Sequence, residues 1–218
     1  MQRYNWNDVI ICAGGPSFSE KQAQQVEYLR RTRCMRVVVI NDSWKRVPAA
    51  DMLYACDGRW WNHHILAVRA NEFAGELWTG DWEASLKYVL NDGRWNAAHI
   101  EGLSLDPGVI NVGGNGGYQA INLVCQFGAK TIYLVGFDMQ ETYGRKHWFG
   151  NHPVGLGELH SYESWIRRMN VLAEDISTKT DCTVYNCSVE TALECFPRST
   201  LSDLCFPTSI AEASRDRR

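Results

Sequence analysis

Two rhythms of apolar residues alternate along the chain. The first is the short unbroken run. "DVIICA" (8–13) reads as a strand, and "MRVVVIN" (35–41) is β-branched with no alternation, the pattern of a parallel strand buried on both faces. "KTIYLVGFD" (130–138) is a third such run. "ADMLYACD" (50–57), "GELWTG" (75–80), "AAHIEG" (97–102) and "CTVYNCS" (182–188) read as further strands. The second rhythm is helical. Ala23, Val26 and Leu29 mark a helix over 20–31, and further helices are predicted within 59–75 and over 82–90. Ala120, Leu123, Val124 and Phe127 mark a helix that opens at Gly116 and stops at Gly128. Trp165, Met169, Leu172 and Ile176 share one face of a helix over 161–176, and a short helix is expected near "VETALECF" (189–196).

Strands alternating with helices predict right-handed βαβ units and an α/β fold. The expected architecture is a single-domain Rossmann-like three-layer sandwich with a mostly parallel sheet. It covers 1–206, with a polar tail over 207–218. Between the helices lies a polar, aromatic, Gly-rich loop at 139–160, long enough to suggest function.

Composition narrows the picture. With 218 residues, 45% of them hydrophobic, the chain can build one sizeable core. No stretch approaches the ~20 apolar residues of a membrane span. "MQRYNWNDVIIC" lacks the long apolar core of a signal peptide, so a cytoplasmic protein is expected. A net charge of −3 argues against a bulk nucleic-acid binder. The eight Cys contain no C-x-x-C pair; Cys12, Cys56 and Cys125 sit in apolar runs, and all eight read as reduced thiols. Nine Trp leave room for a homo-oligomer.

The candidate chemistry collects where strands end. The first strand ends in Gly14-Gly15-Pro16-Ser17, the second in Asn41-Asp42-Ser43 and the third in Asp57-Gly58. The strand at 131–135 ends in Gly136-Phe137-Asp138. In a parallel sheet these ends share one edge, and ligands bind outside the carboxyl edge at a topological switch point. Gly, Asn and Asp follow any strand as turn residues, but four coinciding ends predict a ligand edge, and the bareness of the first turn is assigned to that ligand. The dinucleotide fingerprint G-x-G-x-x-G and the P-loop are both absent. "VGGNGGYQ" (112–119) places bare backbone before a helix, which suits a phosphate or carboxylate. Close helix packing explains the same glycines equally well. The loop "KHWFGNHPVGLGELH" carries His147, His152 and His160, any of which suits general acid–base work. His63 and His64 read as helix-surface residues rather than metal ligands.

"AGGPS", "IND", "GNGGYQAINLVCQFGAKTIYLVGFDM", "HWFGNHP" and "TVYNCS…ALECFP" resemble, in order and spacing, the bacterial sialyltransferases of glycosyltransferase family 42. The same framework is similar to the archaeal 6-hydroxymethylpterin diphosphokinase group and related phage proteins. The resemblance covers roughly residues 8–200 and implies a nucleotide-dependent transferase. Gly14, Gly15, Pro16 and Ser17 would meet the donor nucleotide, with Gly14 standing where the family has Asn. Asn41, with Asp42 beside it, would lie near the donor phosphate. Asp57 replaces a family Asn and becomes a candidate catalytic residue. Asn115, Gly116 and Gly117 fall where a T-S-G contacts the transferred sugar; the hydroxyl is lost, which points away from a sialic-acid donor. Gly136, Phe137 and Asp138 match the ribose-contacting segment. Trp148 would stack on base or sugar, and His152 matches the general base, with Asn151 as one inserted residue.

The expected function is therefore a metal-independent glycosyltransferase that uses no cofactor. It would move a sugar from a nucleotide-sugar to a hydroxyl on a small-molecule or glycan acceptor. An ATP-dependent diphosphokinase, with Asp57 and Asp138 on Mg²⁺, is the alternative. A nucleotide-binding protein of phage origin without turnover is a third reading.

Overall fold

The computed structural model describes residues 4–95, 101–153, 155–156 and 161–206. Seven parallel strands form the main sheet: β1 (Asp8–Cys12), β2 (Arg36–Ile40), β3 (Met52–Tyr54), β4 (Glu76–Thr79), β5 (Asn91–Asp92), and, after the short β6 (Arg94–Trp95) and β7 (Val109–Ile110), β8 (Thr131–Val135) and β9 (Thr183–Asn186). The order across the sheet is β5-β4-β3-β2-β1-β8-β9, while β6 and β7 make a separate two-stranded pair. The chain thus runs outward from β1 to β5, returns across the sheet, and resumes on the other side of β1. The switch point lies between β1 and β8, where Ile11 pairs with Val38 on one side and Leu134 on the other.

Helices α1 (Glu20–Arg33), α2 (Gly58–Ala70), α3 (Trp82–Tyr88) and α6 (Leu201–Cys205) cover one face of the sheet; α4 (Gly116–Gln126) and α5 (Tyr162–Lys179) cover the other. The strands explain the division. Val9 and Ile11 of β1 pack with Ile121, Val124 and Leu172, whereas Ile10 and Cys12 pack with Val26, Leu29 and Trp61. A strand buried on both faces needs apolar residues at every position, the unbroken runs of the sequence. Polar residues that interrupt the helical rhythm are spent on caps. Ser19 and Gln22 close a capping box on α1, and Asp57, Asp81 and Asn115 cap α2, α3 and α4. No helix among the described residues is long and apolar enough to cross a membrane.

The α/β three-layer sandwich is as expected, and every strand pair of the main sheet is parallel. Two details differ. Residues 189–196 are not helical: Thr191 Oγ1 donates to the Phe137 carbonyl at 2.7 Å and the Ala192 N–H to that of Asp138 at 2.8 Å, pinning an irregular segment to the end of β8. The helix comes later, as α6. The strand expected at 97–102 falls mostly outside the described residues, and Glu101 and Gly102 are not extended into a strand. The tail at 207–218 also lies outside the described residues.

Candidate functional site

A cleft of about 380 Å³ opens at the switch point. Gly14 and Gly15 after β1, Asn41 after β2, Asp57 after β3 and Gly136, Phe137 and Asp138 after β8 all line it. Asn115, Gly116 and Gly117 at the N-terminus of α4 close its floor, and His147 and His152 approach from the 139–160 loop. The residues nominated by the sequence thus converge on one cleft. Four others do not line it. Ser17 is buried and bonded to Asp138, Pro16 sits in the β-turn closed by the Phe18 N–H to the Gly15 carbonyl at 3.0 Å, and Asp42 and Trp148 face away. His160 lies outside the described residues.

The bareness of the first turn has a different cause from the one expected. A Cβ on Gly15 would stand 2.2 Å from Asp138 Oδ1 and 2.4 Å from the Gly136 carbonyl. The protein's own chain fills that space. Gly15 and Asp138 are neighbours because the Gly15 N–H donates to the Gly136 carbonyl at 2.9 Å, extending the β1–β8 pairing past the strand ends. Gly117 is similar: a Cβ there would meet the Phe137 ring at 2.7 Å, and that ring is 1% exposed. Phe137 is a spacer beneath α4, with only an edge reaching the cleft.

Two residues bend the backbone at the rim. Asn41 (φ 50°) and Met139 (φ 50°) are left-handed, a conformation Asn tolerates and Met rarely adopts. Both line the cleft, where such conformations cluster in functional sites.

The electrostatics are lopsided. The Ser17 N–H donates to Asp138 Oδ2 at 2.9 Å and its hydroxyl to Oδ1 at 2.7 Å. Burial nevertheless outweighs these bonds and lifts the carboxyl above its ordinary pKa. Asp57 is held below its ordinary value: burial raises it, but the Arg59 guanidinium grips both oxygens, with Nη2 2.8 Å from Oδ2, and wins. Burial pushes the Cys56 thiol up to about 12. Asp42 accepts from Trp60 Nε1 at 3.1 Å and pairs with Lys45, which together outweigh its burial and hold it low. Lys146 and the amino end of α4 line the same cleft as Asp57 and Asp138. There the Gly116 and Gly117 amides have no intrahelical acceptor. Asn115 Oδ1 accepts from the Tyr118 N–H at 2.9 Å, which fixes the side-chain amide, and its buried Nδ2 has no hydrogen-bond partner among the described residues. A buried donor left unpaired costs about 1–3 kcal/mol, a cost that an acceptor on a ligand would relieve. No group of three or more His, Cys, Asp or Glu among the described residues is placed to hold a metal.

Tyr162 and Trp165 of α5 also wall the cleft. Sequence reasoning assigned Trp165 to the core face of its helix, because it lies at helical spacing from Met169, Leu172 and Ile176. Those three are buried in the core, while Trp165, one turn nearer the strand ends, reaches the opening. Its spacing alone could not separate the two. No family model matches the chain, and no curated protein matches it either.

Proposed function

We propose that the chain is a nucleotide-dependent transferase, most concretely a metal-independent glycosyltransferase of the kind the sequence resembles. The observation that carries this reading is the convergence of the four strand ends and the α4 N-terminus on one cleft at the switch point. Helix amides, the Asn115 Nδ2 donor and Lys146 suit the phosphate oxygens of a donor nucleotide. Asn41 lines the same cleft. His152 takes the proton from the acceptor hydroxyl as the acceptor oxygen bonds to the sugar carbon. The bond from that carbon to the donor phosphate breaks, and the nucleotide leaves carrying the phosphate charge. General-base help is worth roughly 10²–10⁴ in rate. The state of the acids favours direct phosphate binding over binding through a metal: Asp57 is chelated by Arg59, and both oxygens of Asp138 accept from Ser17.

The test is a thermal-shift panel of CMP-, UDP- and GDP-sugars and ATP, each with and without Mg²⁺. A ligand at 100 times its Kd adds about 2.7 kcal/mol of apparent stability. Stabilisation by one nucleotide-sugar without Mg²⁺ is the expected result. Stabilisation by ATP only with Mg²⁺ assigns the diphosphokinase instead. A nucleotide bound tightly and recovered intact with every acceptor offered assigns a binding protein.

A further inference from the structure

Residues 145–153 form a strap across the carboxyl end of β1. The Trp148 N–H donates to the Gly14 carbonyl at 3.0 Å. Its indole N–H donates to Ser43 Oγ at 3.4 Å, and that hydroxyl donates to the Ala13 carbonyl at 2.9 Å. On its other side the indole meets Arg46, whose guanidinium carbon lies 3.9 Å from the Trp148 ring centre and 5.4 Å from that of Phe18. Arg46 ends the 3₁₀ turn Asn41–Lys45, so one short element supplies Asn41 to the cleft and both Ser43 and Arg46 to the strap.

The two sides of the strap do different things. His147 and His152 line the cleft. The His147 ring stacks on Phe149 (4.9 Å, 5°) and lies 4.8 Å from His152. The seat is tight, since a Cβ on Gly14 would stand 3.1 Å from His147 Nδ1 and 3.2 Å from the Phe149 ring. Trp148, between His147 and Phe149, faces away from the cleft onto Arg46. Arg46 itself walls a separate surface groove along α1 and touches no part of the cleft.

We infer that Arg46 is a positioning residue: by clamping Trp148 it seats the strap on β1 and so fixes His147 and His152 at the cleft wall. The contact with Trp148 is a stack, and the ion pair that Arg46 also makes is long and exposed. Glu20 Oε2 lies 4.0 Å from Arg46 Nε with its side chain 71% exposed, and Arg46 Nη1 is buried with no hydrogen-bond partner among the described residues. A planar guanidinium can lie flat on an indole and a lysine ammonium cannot. The consequence for catalysis rests on the transferase reading; the clamp does not.

The experiment needs no ligand. Amide exchange is followed by mass spectrometry on the peptide spanning 145–152, in the wild type and in Arg46→Lys, Arg46→Met and Ser43→Ala. Both Arg46 variants should exchange that peptide roughly tenfold faster, the behaviour of a locally released segment. Peptides from β1, β2 and α1 should keep their rates, and Ser43→Ala should have a smaller effect. Trypsin should then cut faster after Arg145 and Lys146. Unchanged exchange in both Arg46 variants overturns the inference. So does a uniform increase across the whole chain in both, which makes Arg46 a general packing residue. With the donor found by the ligand panel, Arg46→Met should lower kcat and leave donor KM within about twofold. A panel in which no nucleotide binds defeats the transferase reading and leaves the exchange result standing.

Discussion

Ser17 donates twice to Asp138, through its backbone N–H and its hydroxyl, across a separation of 121 residues. This pair ties the turn after β1 to the end of β8, and burial still holds the Asp138 carboxyl above its ordinary value. An acid with a raised folded pKa contributes stability that is complete below its ordinary pKa of 3.8 and is lost as pH climbs through the raised value. Asp138→Asn keeps the shape, accepts from the Ser17 N–H and donates to its hydroxyl. Its Tm should therefore fall less than that of the wild type as pH rises from 4 to 7. Parallel pH profiles of the two proteins would refute this.

Gly15→Ala and Gly14→Ala should separate core from strap. The Gly15 Cβ runs into Asp138 Oδ1 and the Gly136 carbonyl, and backbone cannot step aside. Overpacking of this kind costs about 1–3 kcal/mol. The Gly14 Cβ meets only side chains of the strap, His147 and Phe149, at just over 3 Å. Chemical denaturation should show a large loss for Gly15→Ala and a small one for Gly14→Ala, the latter with faster trypsin cutting at 145–146.

These glycines mark where sequence reading reached its limit. A bare turn looks the same whether a ligand or the protein's own chain fills it, because the filler here, Asp138, lies far away in sequence. β1 and β2 were legible because double-sided burial leaves an apolar run, and β8 because Ile132, Leu134 and Val135 are buried in a β-branched and aromatic segment. β5, β6 and β7 have two residues each, too few to carry a period. Val189, Leu193 and Phe196 imitate helical spacing, yet Leu193 and Phe196 are buried by contacts with the sheet core rather than by a helix of their own. The cleft was legible as a set of strand ends. The Arg46 clamp was not, since nothing local couples residue 46 to 148.

Asn115→Asp tests the anion site. The carboxylate keeps the cap on the Tyr118 N–H and favours the helix dipole, so stability should hold within about 0.5 kcal/mol or rise. It also replaces the buried Nδ2 donor with a negative charge. Affinity for the nucleotide found by the panel should drop at least roughly tenfold, as titration calorimetry would show. Unchanged affinity removes the phosphate from this end of α4.

Asp57 should matter little to stability and nothing to metal. Its pKa is lowered, so the stability it adds is present above the ordinary value of 3.8 and lost as pH falls through the folded value. Asp57→Asn retains a capping oxygen and should cost a few tenths of a kcal/mol, whereas Asp57→Ala costs about 1 kcal/mol. Transfer should survive EDTA. Loss of turnover on chelation, restored by Mg²⁺, would move the assignment to the diphosphokinase.

His152→Ala should lower kcat by roughly 10²–10⁴ with donor affinity nearly unchanged, because a base acts on the acceptor. His147, stacked on Phe149 against Gly14, should be milder as His147→Ala, and so should His160→Ala. If either of those two abolishes turnover while His152→Ala does not, the residue inserted at Asn151 has shifted the base. If none of the three matters, the base is elsewhere.

The order of the sheet also sets the order in which the molecule can assemble. β2 to β5 each pair with the strand before them, so that half can zip together through near-neighbour encounters. β8 must pair with β1 across more than a hundred residues, Asp8 opposite Thr131. Closing so long a loop is the slow kind of step in folding. Every wall of the cleft that comes from β8 waits on it. The cleft should be the last part of the protein to mature, so an early folding intermediate would hold half a sheet and no cleft.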